Sequence, residues 1–382
     1  MAGNYCTRVA ADPQALGTAW DALLPEAPGS VFLQRGFIAA LHDSGAASAA
    51  TGWQPEVIAL EQAGEVVAAA LAYRKFHSYG EYVFDWAWAE AYERHGLAYY
   101  PKSLCAVPFT PVPGPRLLAR DSAARLALAR ALVEHARASG LPSLHVLFTD
   151  PADTAALAEA GCLVRQGVQF HWFNRGYRDF GDYLDALAQS KRKKVRAERR
   201  KVREAGVECE VLTGPELVEA DWAFFHRCHA RTYAARGARP YLNLDFFLRV
   251  ARARPEALVM VRARRAGRAI AASLAFTDGS RLYGRYWGAL EEVDCLHFEV
   301  SYYTLIEHAI RAGLTVFEGG AQGEHKLARG FEPVTTHSAH WLAHPEFYAA
   351  VERYLARERT GAAEYFEELN ERSALRARPA AL

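Results

Sequence analysis

AGRAIAASLAF, residues 266–276, is a run of small and β-branched residues that opens on an Ala-Gly pair. The stretch AGEVVAAALAY, residues 63–73, matches it at six of eleven positions. Glycine adopts positive φ without steric cost, so each Ala-Gly pair predicts the turn of a β-hairpin. A related hairpin is therefore expected once in each half of the chain.

A second pair of similar stretches follows in the same order. LVEHARASGL at 132–141 matches LIEHAIRAGL at 305–314 at six of ten positions. Apolar residues recur here with the period of a helix, and a strand pattern follows each one. Each half is thus predicted to contain a hairpin, a strand, a helix and a strand. The predicted elements are 56–73, 82–88, 122–139 and 144–148 in the first half, and 257–276, 281–288, 298–312 and 314–318 in the second.

This order predicts a duplicated α/β (α+β) fold in which each half is a mixed sheet flanked by helices. The length of 382 residues and the 51% hydrophobic content are sufficient for two cores. We place the first domain at 1–165 and the second at 166–382, with a basic helix near 184–205 and a C-terminal helix.

Composition excludes several classes of protein. The formal net charge is +1, so the chain as a whole is not a polyelectrolyte binder. Its first residues lack the basic and apolar segments of a signal peptide, and no apolar run is long enough for a membrane span. The six cysteines have no zinc-site spacing. We expect a cytoplasmic protein with no membrane span and no metal.

One segment between the halves is strongly basic. SKRKKVRAERRKVREAG, residues 190–206, holds nine Lys or Arg against two Glu. In a helix, four arginines fall on one face, and their planar guanidinium groups suit phosphate. These are Arg192, Arg196, Arg199 and Arg203. The alternatives are a solvated helix whose charges meet acidic residues elsewhere, or contact with a protein or membrane surface.

A polar loop, EGGAQGEHKLARGF at 318–331, follows the strand pattern of GLTVF. Loops at the carboxyl ends of strands are the usual ligand sites of α/β proteins. The candidate general bases, which are therefore candidate catalytic residues, are Glu318, Glu324 and His325. The candidate ligand-binding residues, which offer backbone N–H groups, an amide or a cation, are Gly319, Gly320, Gln322, Gly323, Lys326 and Arg329. The alternative is a capped turn without a ligand.

The first half has its own group of candidate substrate-binding residues. Asp85 and Trp86 lie in the predicted strand 82–88, and Tyr100 and Lys102 belong to YYPK at 99–102. They could line a groove for a substrate. A carboxylate between apolar residues needs a partner, which makes Asp85 the most informative of the four. The alternative is that the aromatic rings belong to the core.

Two long stretches resemble a known family. LHFEVSYYTLIEHAIRAGLTVFEGGAQGEHKLARGFEP (296–333) and DWAWAEAYERHGLAYYPKSLCAVPFTPVPGPRLL (85–118) resemble signatures of bacterial N-acyltransferases of the peptidoglycan biosynthesis or recognition type. The likeness runs from about residue 20 to 372. More remotely, the layout is similar to Fem-type aminoacyltransferases, and 190–206 looks like their basic segment.

The resemblance implies two tandem GNAT-like (acyl-CoA N-acyltransferase) domains and acyl or aminoacyl transfer to an amine. The co-substrate would be acyl-CoA or aminoacyl-tRNA. The acceptor would be an amine-bearing small molecule or peptide, for example a cell-wall precursor, with tRNA as a further partner. The GNAT pyrophosphate motif [QR]xxGx[GA] is expected near 288–298, where GALEEVDCLHF does not match it. The competing hypotheses are a non-catalytic GNAT-fold protein that binds a peptidoglycan-type ligand, and an RNA-binding module built on the Arg-rich helix.

Overall fold

The computed structural model describes residues 5–320 and 323–376, except for the side chain of Ala363. These residues form two compact units. The first unit runs to Gly167 and includes Thr335–Glu364. The second comprises Val168–Val334 and the residues from Tyr365 onward.

Thirteen strands are found in the described residues. They are β1 Cys6–Ala10, β2 Trp53–Gln62, β3 Glu65–Lys75, β4 Lys102–Cys105, β5 Leu118–Ala119, β6 Ser143–Thr149, β7 Leu163–Phe173, β8 Val207–Thr213, β9 Leu258–Arg265, β10 Arg268–Thr277, β11 Arg281–Ala289, β12 Val316–Glu318 and β13 Glu332–Leu342.

The described α-helices are α1 Thr18–Leu23, α2 Arg35–Asp43, α3 Trp86–Arg94, α4 Ser122–Ala138, α5 Pro151–Glu159, α6 Phe180–Ala186, α7 Gln189–Glu204, α8 Glu219–Ala234, α9 Leu244–Ala253, α10 Leu296–Phe298, α11 Thr304–Arg311 and α12 Pro345–Glu371. A π-helical turn, Glu299–Tyr303, joins α10 to α11. Short 3-10 helices span Pro13–Leu16, Ser30–Leu33, Ala49–Thr51, Gly214–Glu216, Pro255–Ala257 and Glu324–Arg329. In the described ranges, no helix has both the length and the apolar character needed to cross a bilayer.

The sheet of the first unit has the strand order β1-β2-β3-β4-β6-β13. β4 and β6 are parallel, and the other neighbours in this order are antiparallel. The β2–β3 hairpin turns at Ala63 and Gly64, which both have positive φ, as the sequence predicts. The apolar face of α4 packs against this sheet through residues such as Leu128 and Leu132.

One predicted strand of the first unit is a helix. Residues 82–88 were expected to be extended, whereas α3 begins at Trp86 and Asp85 is its N-cap residue. The alternation in WAWA imitates a strand, but the buried side chains are Trp88 and Tyr92. Their i,i+4 spacing is that of a helix face.

The sheet of the second unit has the order β7-β12-β11-β10-β9-β8. β11 and β12 are parallel, and the other neighbours are antiparallel. The β9–β10 hairpin turns at Ala266 and Gly267, again with positive φ at both residues. Leu305, Ile306 and Ile310 of α11 belong to the core beneath this sheet.

Each unit therefore contains the predicted order of hairpin, strand, helix and strand, although α3 is inserted before β4. The expected α/β fold, in which each half is a mixed sheet flanked by helices, is confirmed. In the second unit, β12 ends at Glu318 opposite Tyr283, whereas β11 continues to Ala289. This early end of β12 opens the sheet where the polar loop begins.

Candidate functional site

Glu318, the last residue of β12, belongs to a polar row on one face of the second sheet. It is registered with His171 of β7 and with Tyr283 of β11. Strand residues alternate between faces, so Gln169 and Arg281 lie on the same face as these three. The opposite face carries apolar residues of the core, namely Phe170, Trp172, Leu282 and Phe317.

Glu318 is a buried carboxylate with one anchored oxygen. Its residue surface is 4% exposed. Oε1 lies 3.3 Å from Nη1 of Arg281, while Oε2 has no hydrogen-bond partner in the described part of the chain. The nearest ring nitrogen, Nε2 of His171, is 3.8 Å from Oε2. Burial raises the pKa of Glu318 to about 7, against the opposing charge of Arg281.

The glycines after Glu318 permit close packing of the loop. A Cβ at Gly319 would lie 2.8 Å from the ring of Phe331, so a larger residue would have to displace that ring. Gly320 has a φ of 84°, which favours glycine. Gln322 lies outside the described residues. Gly323, at the N-terminus of the following 3-10 helix, has a φ of 116°.

Lys326 supports this loop from inside. It is 1% exposed, and its Nζ donates a hydrogen bond of 3.0 Å to the carbonyl of Gly320. Burial lowers the pKa of the ammonium group to about 7. Glu318, whose pKa is raised, and Lys326, whose pKa is lowered, therefore both belong to the loop that contains Gly319 and Gly320. Such groups are typical of functional sites.

The other two candidate bases have different surroundings. Glu324 is exposed, and its carboxylate accepts a hydrogen bond from Tyr365 at 2.7 Å and pairs with Arg372 at 2.8 Å. These contacts lower its pKa. His325 is exposed, with Nε2 at 3.1 Å from the hydroxyl of Tyr302. Glu318 is the one of the three that is buried, and its burial favours it as the base.

Arg329 differs from the expectation that it binds a ligand. It is 1% exposed, and its guanidinium contacts both carboxylate oxygens of Glu198 at 2.8 and 3.0 Å. It also donates to the hydroxyl of Tyr303 at 2.9 Å and to the carbonyl of His325 at 2.7 Å. These contacts occupy the guanidinium, so Arg329 fixes the 3-10 helix to α7 instead of presenting a charge to a ligand.

The four arginines of α7 fall into two pairs. Arg192 contacts Asp185 at 2.8 Å, and Arg199 contacts Glu299 and Glu307, both at 2.9 Å. Arg196 and Arg203 are exposed and have no ion-pair partner in the described ranges. The expectation of a four-arginine ridge is therefore wrong for Arg192 and Arg199, which are paired, and phosphate binding stays a prediction for Arg196 and Arg203. The exposed side chains Lys193 and Lys194 are also without an ion-pair partner in those ranges.

Three of the four candidates in the first unit come together, but away from solvent. Nζ of Lys102 donates to Glu81 and to Ser78, both at 2.8 Å, and to Asp85. Tyr100 joins the group through a 2.8 Å contact with Ser78. Burial opposes the ionisation of Asp85, but Lys102 outweighs it and holds the pKa of Asp85 well below its usual value. Asp85 and Lys102 thus form a buried ion pair through Oδ2, whereas Oδ1 of Asp85 has no hydrogen-bond partner among the described residues.

The fourth candidate, Trp86, points outward and is 41% exposed. The buried group also contains residues that the sequence reasoning missed. Tyr99 donates to Asp85 at 2.7 Å and lies 3.1 Å from Nε2 of His145. His145 and His340 meet through their Nδ1 atoms at 2.7 Å. Polar residues at alternate positions of a buried strand, as in SLHV, were the available signal for His145.

His171 and Arg281 were also missed in the second unit. The pattern QFHW at 169–172 alternates polar and aromatic residues, which predicts a polar sheet face. Arg281 follows the turn residues DGS, so its place at the start of a strand was predictable. Its contact with Glu318 was not, because 37 residues separate the two.

The segment 288–298, which begins with the last two residues of β11, is the place where the sequence lacks the pyrophosphate motif. Most of it lines a cavity of about 710 Å³ whose walls include the acidic residues Glu291, Glu292 and Asp294 and the cationic residues Arg231 and Arg236. The amides of Leu296, Phe298 and Glu299 already donate to carbonyls of Val293 and Cys295. Anion binding at a helix start needs free N–H groups and no competing negative charge. Among the described residues, no group of three or more His, Cys, Asp or Glu could hold a metal ion.

One family model matches almost the whole chain. The FemAB-like family model, described as peptidoglycan biosynthesis/recognition, matches residues 14–377. A search of curated protein sequences gave no match. Among solved structures, the chain is similar to FemX, with a TM-score of 0.55, 13% identity and coverage of 90% of this chain and 100% of FemX.

Two further structures have a similar fold. The C-terminal domain of a putative lysylphosphatidylglycerol synthetase from Agrobacterium fabrum gives a TM-score of 0.52 at 12% identity, covering 89% of this chain and 95% of that domain. A conserved protein of unknown function from Bacteroides thetaiotaomicron gives 0.52 at 10% identity, covering 88% and 100%. At these identities the likeness establishes the fold.

Proposed function

Since the chain belongs to the FemAB-like family of peptidoglycan biosynthesis/recognition proteins, we propose that it is an N-acyltransferase with Glu318 as general base. The observation that carries this proposal is the buried carboxylate of Glu318, whose Oε2 has no hydrogen-bond partner among the described residues. The acceptor is an amine-bearing small molecule or peptide of the cell-wall precursor type. The protein acts in the cytoplasm.

The proposed reaction requires a neutral amine. Deprotonation at pH 7 costs roughly 4–5 kcal/mol for a lysine-type amine and about 1 kcal/mol for an α-amine. Oε2 of Glu318 takes the proton from the acceptor ammonium, and the free amine attacks the acyl carbonyl carbon. The new C–N bond forms and the bond from the carbonyl carbon to the donor oxygen or sulfur breaks. Glu318 passes its proton to that leaving atom, and the attacking nitrogen loses its second proton to solvent. A base whose pKa is near 7 is suited to both transfers.

The loop supplies the charge that the transition state needs. Attack on the carbonyl makes an oxyanion, which N–H donors and a nearby cation stabilise. The amide of Gly319 already donates to the carbonyl of Phe170 at 3.4 Å, so the proposed donors are the backbone amide of Gly320 and the ammonium of Lys326. Because Lys326 is held by the carbonyl of Gly320, it stays beside the glycines without a substrate present.

We propose aminoacyl-tRNA as the acyl donor in preference to acyl-CoA. The acidic residues of segment 288–298 and the hydrogen bonds already made by the amides of Leu296 and Phe298 argue against a pyrophosphate at that position. The exposed basic side chains of α7 offer charge to a phosphate backbone instead. RNA binding is therefore a part of the proposed transfer and is not retained as a separate function, because half of the predicted arginine ridge is paired.

The test is an acyl-transfer assay with two donor sets. The purified protein is incubated with charged total tRNA or with a set of acyl-CoA thioesters, and with peptidoglycan precursor peptides as acceptors, and amide products are detected by mass spectrometry. We expect product with charged tRNA, and a loss of about a hundredfold or more in Glu318→Gln. Glu324→Gln is the matched comparison, since it makes the same change six residues further along the loop.

Two results would contradict the proposal. Full activity in Glu318→Gln would remove this residue from the chemistry. Absence of product with both donor sets would argue for a protein that binds a peptidoglycan-type ligand without transferring an acyl group.

A further inference from the structure

Arg281 is held in place at the first position of β11. Asp278, three residues earlier, accepts hydrogen bonds from the backbone amides of Ser280 at 2.9 Å and of Arg281 at 2.7 Å. Asp278 also accepts the hydroxyl of the buried Tyr283 at 2.5 Å. The turn and the strand start are thus tied together by one carboxylate. These bonds fix the backbone position from which the Arg281 side chain extends to Glu318.

The contact between Arg281 and Glu318 distinguishes the two carboxylate oxygens. Nη1 of Arg281 lies 3.3 Å from Oε1. Oε2 has no hydrogen-bond partner in the described ranges, and Nε2 of His171 lies 3.8 Å from it. A carboxylate held by one oxygen cannot rotate freely. The orientation of Oε2 is therefore restricted by the contact at Oε1.

Four further groups face Glu318 or its immediate neighbours. Arg285 of β11 favours the charged form of Glu318, and Asp278 opposes it. On β7, burial lowers the pKa of His171 to about 3, so this ring is neutral, and Lys326 contributes to the same shift. Of the charged neighbours, Arg281 has the largest effect on the Glu318 carboxyl.

We propose that Arg281 is a positioning residue of the acyl transfer: it holds Oε1 of Glu318 and directs Oε2 at the acceptor amine. This inference rests on the proposed function, since it assumes that Glu318 is the base. Arg281 also determines the pH at which the base becomes charged. Without its guanidinium, burial would act on Glu318 with less opposition, and the carboxyl would hold its proton to higher pH.

The test compares Arg281→Gln and Arg281→Lys with the wild type. Arg249→Gln is the matched control, because Arg249 lies on α9 and pairs with Asp245 at 2.7 Å, away from β11. The first readout needs no substrate. Infrared difference spectra of wild type minus Glu318→Gln, recorded across pH, isolate the carbonyl band of the protonated Glu318 carboxyl, and the same subtraction is made in each arginine background.

We expect the titration of this band to move up by roughly one pH unit or more in Arg281→Gln. It should stay near the wild-type position in Arg281→Lys, which keeps a positive charge, and remain unchanged in Arg249→Gln. In the acyl-transfer assay, the acid limb of kcat/KM should shift by the same amount. Activity of Arg281→Gln would then fall about tenfold more at pH 6 than at pH 9.

An unshifted band and an unshifted acid limb in Arg281→Gln would overturn the inference, even if total activity fell. Thermal melts of each variant separate these results from loss of fold. The proposed function fails in a different way, because full activity of Glu318→Gln would disprove the base whatever Arg281 does. If Glu318→Gln is inactive and the Arg281→Gln profile has the wild-type shape, the base stands and the positioning role is wrong.

Discussion

At the scale of single residues, Glu318 is maintained at a cost to stability. A buried carboxylate loses its hydration, and a single contact with Arg281 replaces only part of it. Burial consequently raises its pKa to about 7. Residues that reduce stability in this way are frequent at active sites, because the same environment that penalises the charge gives the group a useful proton affinity.

The pH dependence of stability tests this cost. The folded-state pKa of about 7 lies above the ordinary value of 4.5, so the folded state binds the proton more tightly. The contribution of Glu318 to the free energy of unfolding is therefore fully present below pH 4.5 and is lost as the pH rises through 7. Glu318→Gln, which cannot ionise, should therefore be more stable than the wild type at pH 8, by up to about 3 kcal/mol. The two proteins should be nearly equal at pH 4.5.

Urea denaturation at both pH values measures this difference. Because the other titrating groups are the same in both proteins, their contributions cancel in the comparison. A constant difference between the variant and the wild type across the range would show that Glu318 has an ordinary pKa.

At the scale of elements, the 3-10 helix Glu324–Arg329 is positioned by a buried ion pair. Glu198 of α7 contacts Arg329, and Tyr303 of the π-helical turn donates to the same carboxylate. The guanidinium also stacks at 3.5 Å over the ring of Phe298. Residues of α7, of the π-helical turn and of α10 thus all contact the guanidinium of Arg329. These contacts fix the position of the 3-10 helix that carries His325 and Lys326.

A double-mutant cycle tests this ion pair. Arg329→Met leaves Glu198 buried without its cation, and we expect it to destabilise the protein by about 3–5 kcal/mol. Replacing both residues, as in Glu198→Leu with Arg329→Met, removes the uncompensated charge and should recover most of that loss. Denaturant titrations of the two single variants and the double variant provide the coupling energy. Additive losses in the double variant would show that the two side chains do not interact.

At the scale of the whole molecule, charge is unevenly distributed although the sum is +1. Exposed Lys193, Lys194, Arg196 and Arg203 of α7 have no ion-pair partner among the described residues, whereas Arg192 and Arg199 do. A neutral protein can therefore still present a local basic surface. This surface is the one that the proposed tRNA donor would use.

Salt dependence distinguishes the two kinds of arginine. If α7 binds a phosphate backbone, log Kd for total tRNA should vary linearly with log salt. Replacing both Arg196 and Arg203 with Gln should reduce that slope by about 2, one for each lost phosphate contact. Arg192→Gln is the matched control on the same helix and should leave the slope unchanged. An unchanged slope in the double variant would separate α7 from RNA binding.

The sequence by itself determined the local elements of this protein. The Ala-Gly turns at 63–64 and 266–267, the helix at 122–139 and the strand at 281–288 were all predictable. Turn chemistry and hydrophobic period act over a few neighbouring residues, so they can be read without knowing the fold. The order of these elements then implied the duplicated α/β architecture.

Only the tertiary structure decided which polar residues are free to act. Glu198 and Arg329 are 131 residues apart in sequence, and Arg199 and Glu299 are 100 apart, so no local sequence pattern could predict either ion pair. The same reason explains why α3 was predicted as a strand. Its alternating Trp and Ala residues have the period of a strand, and only the burial of Trp88 and Tyr92 shows the helical face. Burial and pairing depend on what the rest of the chain brings to each side chain. In this protein they left Glu318 with one anchored oxygen and one without a hydrogen-bond partner in the described residues.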